Sequence, residues 1–349
     1  MNKWMGIGAW LDRYDPETGR LLQVLRPNFA VVGEGAWDHI PQIQSDMGPN
    51  PLIILRYVGD GSSGINRNPD ALAYTLMDVA FGYPGWFAAY GLNEPDISTP
   101  QAREEAAWWE LEFVGRCHNT YGLSTVCLNI ATGNPAGTQE DIDRACEELK
   151  PVHDATDYVG LHLYHLVDAR GVFLSPLYTV YRYKLWPSWF DRSKLLCTEM
   201  GIDGTGGRRW GWRELGYEPV LALNTIINNW RKDGILGGAF FHLGAMSSEW
   251  DKYLMNEKIA KEMRAHNEGY STLPEPELVI GEEEKVPEFV LGVKDEAERL
   301  TRKGVDVGLA LDGEYYFLPD LAIQTTSTGF FLIRKFPDGG FEVQFHPKA

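Results

Sequence analysis

Two stretches of the chain place a glutamate where an apolar run breaks off. Trp86-Phe87-Ala88-Ala89-Tyr90 leads into Gly91-Leu92-Asn93-Glu94-Pro95-Asp96, and Lys194-Leu195-Leu196-Cys197-Thr198 leads into Glu199-Met200-Gly201. A short apolar run that ends in Asn-Glu-Pro reads as a buried strand delivering a carboxylate to its C-terminal mouth, with Pro95 ending the ladder. The two glutamates are 105 positions apart, room for two intervening strand-helix units plus the strand that carries Glu199. Two carboxyls aimed into one cavity are what acid-assisted glycosidic cleavage requires. In the retaining version they stand about 5–5.5 Å apart, one protonated to assist the leaving oxygen and one ionised to attack C1. Like charges at that distance do not both ionise cheaply, so one carboxyl is expected to have its pKa pushed towards the working pH.

The elements that must position them repeat along the chain. Eight apolar runs are legible: Trp4–Leu11, Phe29–Glu34, Pro51–Val58, the run before Glu94, Ser124–Ile130, Tyr158–Tyr164, the run carrying Glu199, and Ile235–His242. They are continuous rather than alternating, as in strands buried on both faces of a parallel sheet. Between them lie helical segments with start signals. Ser98-Thr99-Pro100 supplies a hydroxyl cap and a proline whose missing N–H costs nothing there. Thr138 precedes Glu140, Asp141 and Asp143, acids that complement a helix dipole. Pro219–Lys232 and Lys252–Arg264 repeat helical spacing. Eight such units over about 265 residues predict a (β/α)8 barrel. A doubly wound open sheet is the alternative, but no glycine-rich phosphate loop follows any strand.

In such a barrel the chemistry lies at the C-terminal ends of the strands. Reading those ends gives Asp12, Glu34, Arg56, Glu94, Asn129, His162 with Tyr164, Glu199 and His242. Asn93-Glu94-Pro95 on strand four, His162-x-Tyr164 on strand six and Glu199 on strand seven together resemble clan A glycoside hydrolases, the family 5-like members especially. The resemblance implies Glu94 as acid/base and Glu199 as nucleophile. It implies Asn93 on the substrate 2-hydroxyl, Tyr164 orienting the nucleophile, and His162 supporting the subsites. The chain departs from that pattern in two places: strand two ends in Glu34, with Arg56 on strand three the nearest basic residue, and strand eight ends in His242-Leu243-Gly244, with Trp250 only later. Glu34 reads either as a substrate contact or as a salt-bridge partner of Arg56. His242 reads equally as a site residue or as a histidine of the core or of the layer behind the site, and His165 as a wall or structural residue.

Of 12 tryptophans, Trp108, Trp109 and Trp230 fall in helices and read as packing. Trp37, Trp210, Trp212 and Trp250 follow strand ends, where an indole face can stack on a pyranose. The segment Gly204 to Trp212 is glycine-rich, basic and aromatic, and reads as a wall of a sugar cleft in preference to a phosphate loop. No HExxH-type spacing occurs, so no catalytic metal and no cofactor are expected.

The formal net charge of −17 disfavours nucleic acid, anionic membranes and acidic polymers, and leaves a neutral glycan as the expected partner. No run approaches 18 apolar residues, and the first apolar run reads as a strand rather than a signal peptide. Cytoplasmic residence, release by lysis and a removed leader all remain open. Cys117, Cys127, Cys146 and Cys197 lack paired or zinc-type spacing and read as reduced, buried thiols. The predicted organisation is a catalytic barrel over 1–267, a proline-rich acidic linker over 268–290 and a small β-rich module over 291–349, ending in a hairpin around Asp338-Gly339-Gly340 and docked on the barrel. The leading expectation is an endo-acting retaining hydrolase of a β-linked neutral polysaccharide. The rivals are a phage-type cell-wall lysin, a non-catalytic carbohydrate-binding barrel, and transglycosylation by the same chemistry. Oligomeric state is not legible.

Overall fold

The structure, a computed structural model, describes residues 5–57, 67–167, 179–204, 218–244, 254–267 and four C-terminal strands between 315 and 347. Contacts divide the chain into two compact units, Met1–Pro276 and Glu277–Ala349.

The first unit is the expected (β/α)8 barrel. Its strands are β1 (Gly6–Leu11), β2 (Phe29–Gly33), β3 (Leu52–Arg56), β4 (Trp86–Tyr90), β5 (Ser124–Ile130), β6 (Tyr158–Val167), β7 (Leu195–Gly204) and β8 (Gly237–Gly244). They pair in sequence order, all parallel, and β8 closes on β1. The helices around them are α1 (Pro16–Leu25), α2 (Ile40–Met47), α3 (Pro69–Gly82), α4 (Pro100–Arg116), α5 (Gln139–Ala155), α6 (Glu218–Asp233) and α7 (Glu257–Asn267).

The apolar runs become strands because both of their faces are covered. Every residue of β1 and β2 is buried, and Phe29, Ala30, Val31, Val32, Ile53, Ile54 and Leu55 have no exposed surface. Removing a ring such as Phe29 from this core would cost about 3–5 kcal/mol. That ring lies where a Cβ on Gly8 would stand, 2.4 Å from its Cζ, so the glycine makes room for it. The caps also follow the sequence. Thr99 accepts from Ala102 N–H with Pro100 in the first turn of α4, and Thr138 and Asp141 form a reciprocal capping box on α5.

Three expectations are adjusted. β6 and β7 run three residues further than their apolar patterns, paired to Val167↔Gly204, because the ladder continues after the inward-facing positions turn polar. The last helix begins at Glu257 rather than near Lys252. Between β6 and β7 the described residues include two 3-10 turns, Arg182–Leu185 and Arg192–Lys194. Trp109 and Trp230 pack in the core as expected, but Trp108 is exposed on α4. All four cysteines are unpaired and buried.

The second unit is a four-stranded antiparallel sheet in the order β12 (Phe341–Pro347), β11 (Gly329–Lys335), β10 (Leu321–Thr325), β9 (Tyr315–Leu318). The β11–β12 hairpin matches its alternating pattern, whereas β10 was not legible as a strand. The expected linker over 268–290 and the turn residues 336–340 lie outside the described residues.

Candidate active site

The site is assembled at the ends of β3, β4, β6 and β7. Tyr90, the last residue of β4, is buried, and its hydroxyl donates to Asn93 Oδ1 at 3.0 Å while lying 2.9 Å from His162 Nε2. The chain then leaves the ladder, and Glu94 takes a left-handed conformation, φ 46°, immediately before Pro95. A non-glycine residue there costs of order 1–3 kcal/mol and persists only where its surroundings hold it. The Glu94 side chain is 46% exposed and so accessible from solvent.

Glu199 is delivered differently. Between Leu161 and His162 on β6 the pairing steps from Cys197 to Glu199, so Thr198 is an extra residue in β7, a β-bulge. Bulges re-aim side chains, and this one turns Glu199 towards β6 while leaving it 8% exposed. Its Oε2 accepts from the Tyr164 hydroxyl at 3.1 Å. Arg56 at the end of β3 approaches its Oε1 to 4.0 Å, with the guanidinium 4.4 Å above the Trp10 ring and 5.6 Å from that of Tyr90. The aromatic faces hold this charge in a half-dry place, a contact worth about 0.5–2 kcal/mol.

His162 joins the two carboxyls. It is fully buried, and its Nδ1 lies 2.7 Å from Glu94 Oε1 and 3.5 Å from Glu199 Oε2. The two oxygens are therefore at most about 6.2 Å apart, the two distances laid end to end. The hydrogen bond from His162 is the leading cause that holds the Glu94 carboxyl below the usual carboxylate range. Burial opposes it, and the charges of His162 and Arg56 add to it. This differs from the expectation of a carboxyl raised by its like-charged neighbour: for Glu94 the imidazole beside it sets the direction, against burial. At the end of β1, Asp12 is instead pushed up, chiefly by burial, against the pull of Arg56. Burial likewise lifts the Tyr90 phenol well above its ordinary value, so it stays a neutral donor.

The remaining sequence candidates are placed as follows. Glu34, just past β2, is half-buried close enough to Asp12 to raise it, while Arg56 is directed to Glu199. Trp37 is half-buried, donates Nε1–H to Val32 O at 3.0 Å and packs 6.2 Å from Tyr57. Asn129, read as a substrate contact, is fully buried: its amide donates to Leu92 O at 2.9 Å and accepts from Thr198 at 3.2 Å. It sits in the wall behind the site because β5 carries its own bulge there, between Cys127 and Ile130, with Leu128 and Asn129 both at positive φ. His165 is buried on β6. His242 lies on β8, and its side chain is not among those described; Trp210, Trp212 and Trp250 lie outside the described residues. Three residues that sequence did not single out belong to the assembly: Tyr90, Trp10 and Thr132. Thr132 donates to His162 O at 2.8 Å and accepts from Tyr164 N–H at 3.0 Å. The signal for Tyr90 was its place, last in the strand before Gly91; a threonine two residues past a strand carries none. Among the described residues no group of three or more His, Cys, Asp or Glu is arranged to hold a metal ion.

No family model matches the sequence, and no curated protein matches it. Solved structures do resemble it. A GH18 chitinase from Pseudoalteromonas aurantia aligns at 11% identity and TM-score 0.45, over 75% of this chain and 99% of that one. A GH128 endo-β-1,3-glucanase from Sorangium cellulosum aligns at 19% identity and TM-score 0.44, over 73% and 97%. An endo-β-1,6-glucanase, BT3312, aligns at 10% identity and TM-score 0.47, over 98% and 89%. The function proposed for this chain rests on the geometry of its own site.

Proposed function

We propose that the protein is a retaining glycoside hydrolase acting on a β-linked neutral glycan, with Glu199 as nucleophile and Glu94 as acid/base. The observation that carries this reading is the single imidazole nitrogen shared by the two carboxyls. It keeps their facing oxygens within about 6.2 Å of each other, the close pairing that a nucleophilic carboxylate beside an acid uses.

The surroundings suit each role. Glu199 is nearly dry, and the Tyr164 hydroxyl and the facing Arg56 hold its oxygens in place for attack on C1. Glu94 is the more exposed of the two and sits on a held but irregular turn, where it can reach a leaving oxygen. Tyr90 has one proton to give and gives it to Asn93, so its oxygen takes Nε2–H of His162. His162 Nδ1 and Glu94 then hold one further proton between them. Transfer of that proton from Glu94 to the leaving group completes the first step. Glu94, then ionised, takes a proton from the water that cleaves the glycosyl-enzyme. Net negative charge favours an uncharged polymer, and internal cleavage suits the aromatic pair Trp37 and Tyr57 beside the β2 and β3 ends.

The test is a depolymerisation screen across mannan, mixed-linkage glucan, galactan, xylan and peptidoglycan, comparing the wild type with Glu199→Gln. Release of sugar by the wild type alone supports the reading and names the polymer; peptidoglycan as the sole substrate selects the lysin. Equal release by both proteins overturns the assignment of Glu199.

A further inference from the structure

α4 lies outside the barrel wall, and its inward face, Ala106, Ala107, Trp109, Phe113 and Val114, is apolar. Glu110 stands in the middle of that face with no exposed surface. A leucine there would bury without penalty, whereas a carboxyl in such surroundings costs several kcal/mol unless its oxygens are used. One of them, Oε1, is used on backbone groups that β4 and β5 leave unpaired. Oε1 accepts the Leu128 N–H at 3.0 Å, freed by the β5 bulge, and the Leu92 N–H at 3.2 Å, freed where β4 leaves the sheet. Oε2 lies where a Cβ on Gly91 would stand, 2.3 Å from it. Leu92 is two residues before Glu94, and its carbonyl is taken by Asn129, whose amide oxygen receives Thr198, the bulge residue preceding Glu199.

The geometry points to Glu110 as a positioning residue for the active site: from behind the wall it fixes Leu92 and the β5 bulge, and through them the turn that presents Glu94. The inference rests on the reading of Glu94 as acid/base, but the placement of Glu94 against His162 can be tested apart from activity. A turn held at one end by hydrogen bonds to a buried group has few alternatives. Losing that group frees Leu92 N–H and Leu128 N–H together, and both then seek other partners. Gln at this position retains a carbonyl oxygen for the two N–H groups, whereas Leu does not. Gly91→Ala reaches the same contact from the other side, because its methyl displaces the carboxyl; the glycine has no positive φ, so alanine fits the backbone.

The experiment uses full-length protein labelled with ¹³C-histidine, the His162 ring signal being assigned by its loss in His162→Gln. Glu110→Leu and Gly91→Ala are expected to shift the His162 signal, and Glu110→Gln to leave it in place. On the polymer found in the screen, the first two are expected to lower kcat on the order of 100-fold, the loss that an ångström of misplacement brings, with KM little changed. Glu110→Gln is expected to recover most of kcat. A folded Glu110→Leu or Gly91→Ala protein with an unmoved His162 signal and wild-type kcat overturns the inference and makes Glu110 a brace of the fold alone. If Glu110→Leu does not fold, Gly91→Ala carries the test. If the wild type cleaves no polymer, the functional reading fails while the His162 signal still decides the positioning role.

Discussion

One nitrogen of His162 touches both carboxyls of the site, 2.7 Å from Glu94 and 3.5 Å from Glu199. The imidazole is wholly buried and fixed from behind by Tyr90, so it cannot swing away from either. Its leading effect is on Glu94, whose ionised form it favours. A depressed acid limits the protonated fraction, so glycosidic cleavage should fall off as pH rises through the Glu94 pKa. His162→Asn removes the largest cause of that depression. The expected result is an alkaline limb of the kcat/KM profile displaced to higher pH, read from the profiles of the two proteins on one substrate. An unchanged limb would show that Glu94 does not set it.

Tyr164→Phe tests the other carboxyl. The hydroxyl at 3.1 Å is a hydrogen bond to a charged group, of the kind worth about 1.5–3 kcal/mol. Its loss should reduce kcat roughly 10- to 100-fold, read on the polymer found in the screen. Thermal stability should change little, the ring remaining packed against Phe241.

Asn129→Ala should be costly for the fold. The buried amide satisfies Leu92 O and the Thr198 hydroxyl, and its removal strands both in a dry wall. Denaturant unfolding is expected to show a loss of about 2–4 kcal/mol. A loss of substrate affinity with unchanged stability would instead return Asn129 to the cavity, as its place at a strand end first suggested.

Glu110 also makes stability depend on pH. Burial raises its pKa to about 7 from an ordinary value near 4.5, with the Leu128 and Leu92 N–H groups and the Cys127 thiol pulling the other way. The carboxyl is protonated in both folded and unfolded chains below pH 4.5 and contributes no penalty there. As pH rises to 7 the unfolded chain ionises first, and the folded state loses about 3 kcal/mol relative to a neutral side chain. Glu110→Gln lacks this term. Its stability relative to the wild type should therefore improve by about that amount between pH 4.5 and 7.5, measured by urea unfolding at each pH.

The barrel was legible because eight strands buried on both faces need continuous apolar runs, and Thr99-Pro100 and Thr138 mark helix starts in a way that burial cannot disguise. Glu94 and Glu199 were legible because each interrupts such a run at its mouth. The machinery behind them was not. Leu128 and Asn129 take positive φ, and Thr198 is an extra residue in its ladder, through pairing between strands that no local pattern carries. Glu110 reads in the sequence as one more acid of a helix, and only the packing of α4 shows that it faces inward. Asn129 stands in the wall for the same reason, beside the bulge in β5.

Covalent trapping decides whether Glu199 is the nucleophile. A 2-deoxy-2-fluoro glycoside of the sugar released in the screen, with a good leaving group, is incubated with the wild type, and the labelled peptide is identified by mass spectrometry. One glycosyl unit per chain is expected, attached to Glu199 and absent from Glu199→Gln. Label on Glu94 or another residue, or turnover of the polymer with inversion at C1 and no trapped intermediate, would contradict it.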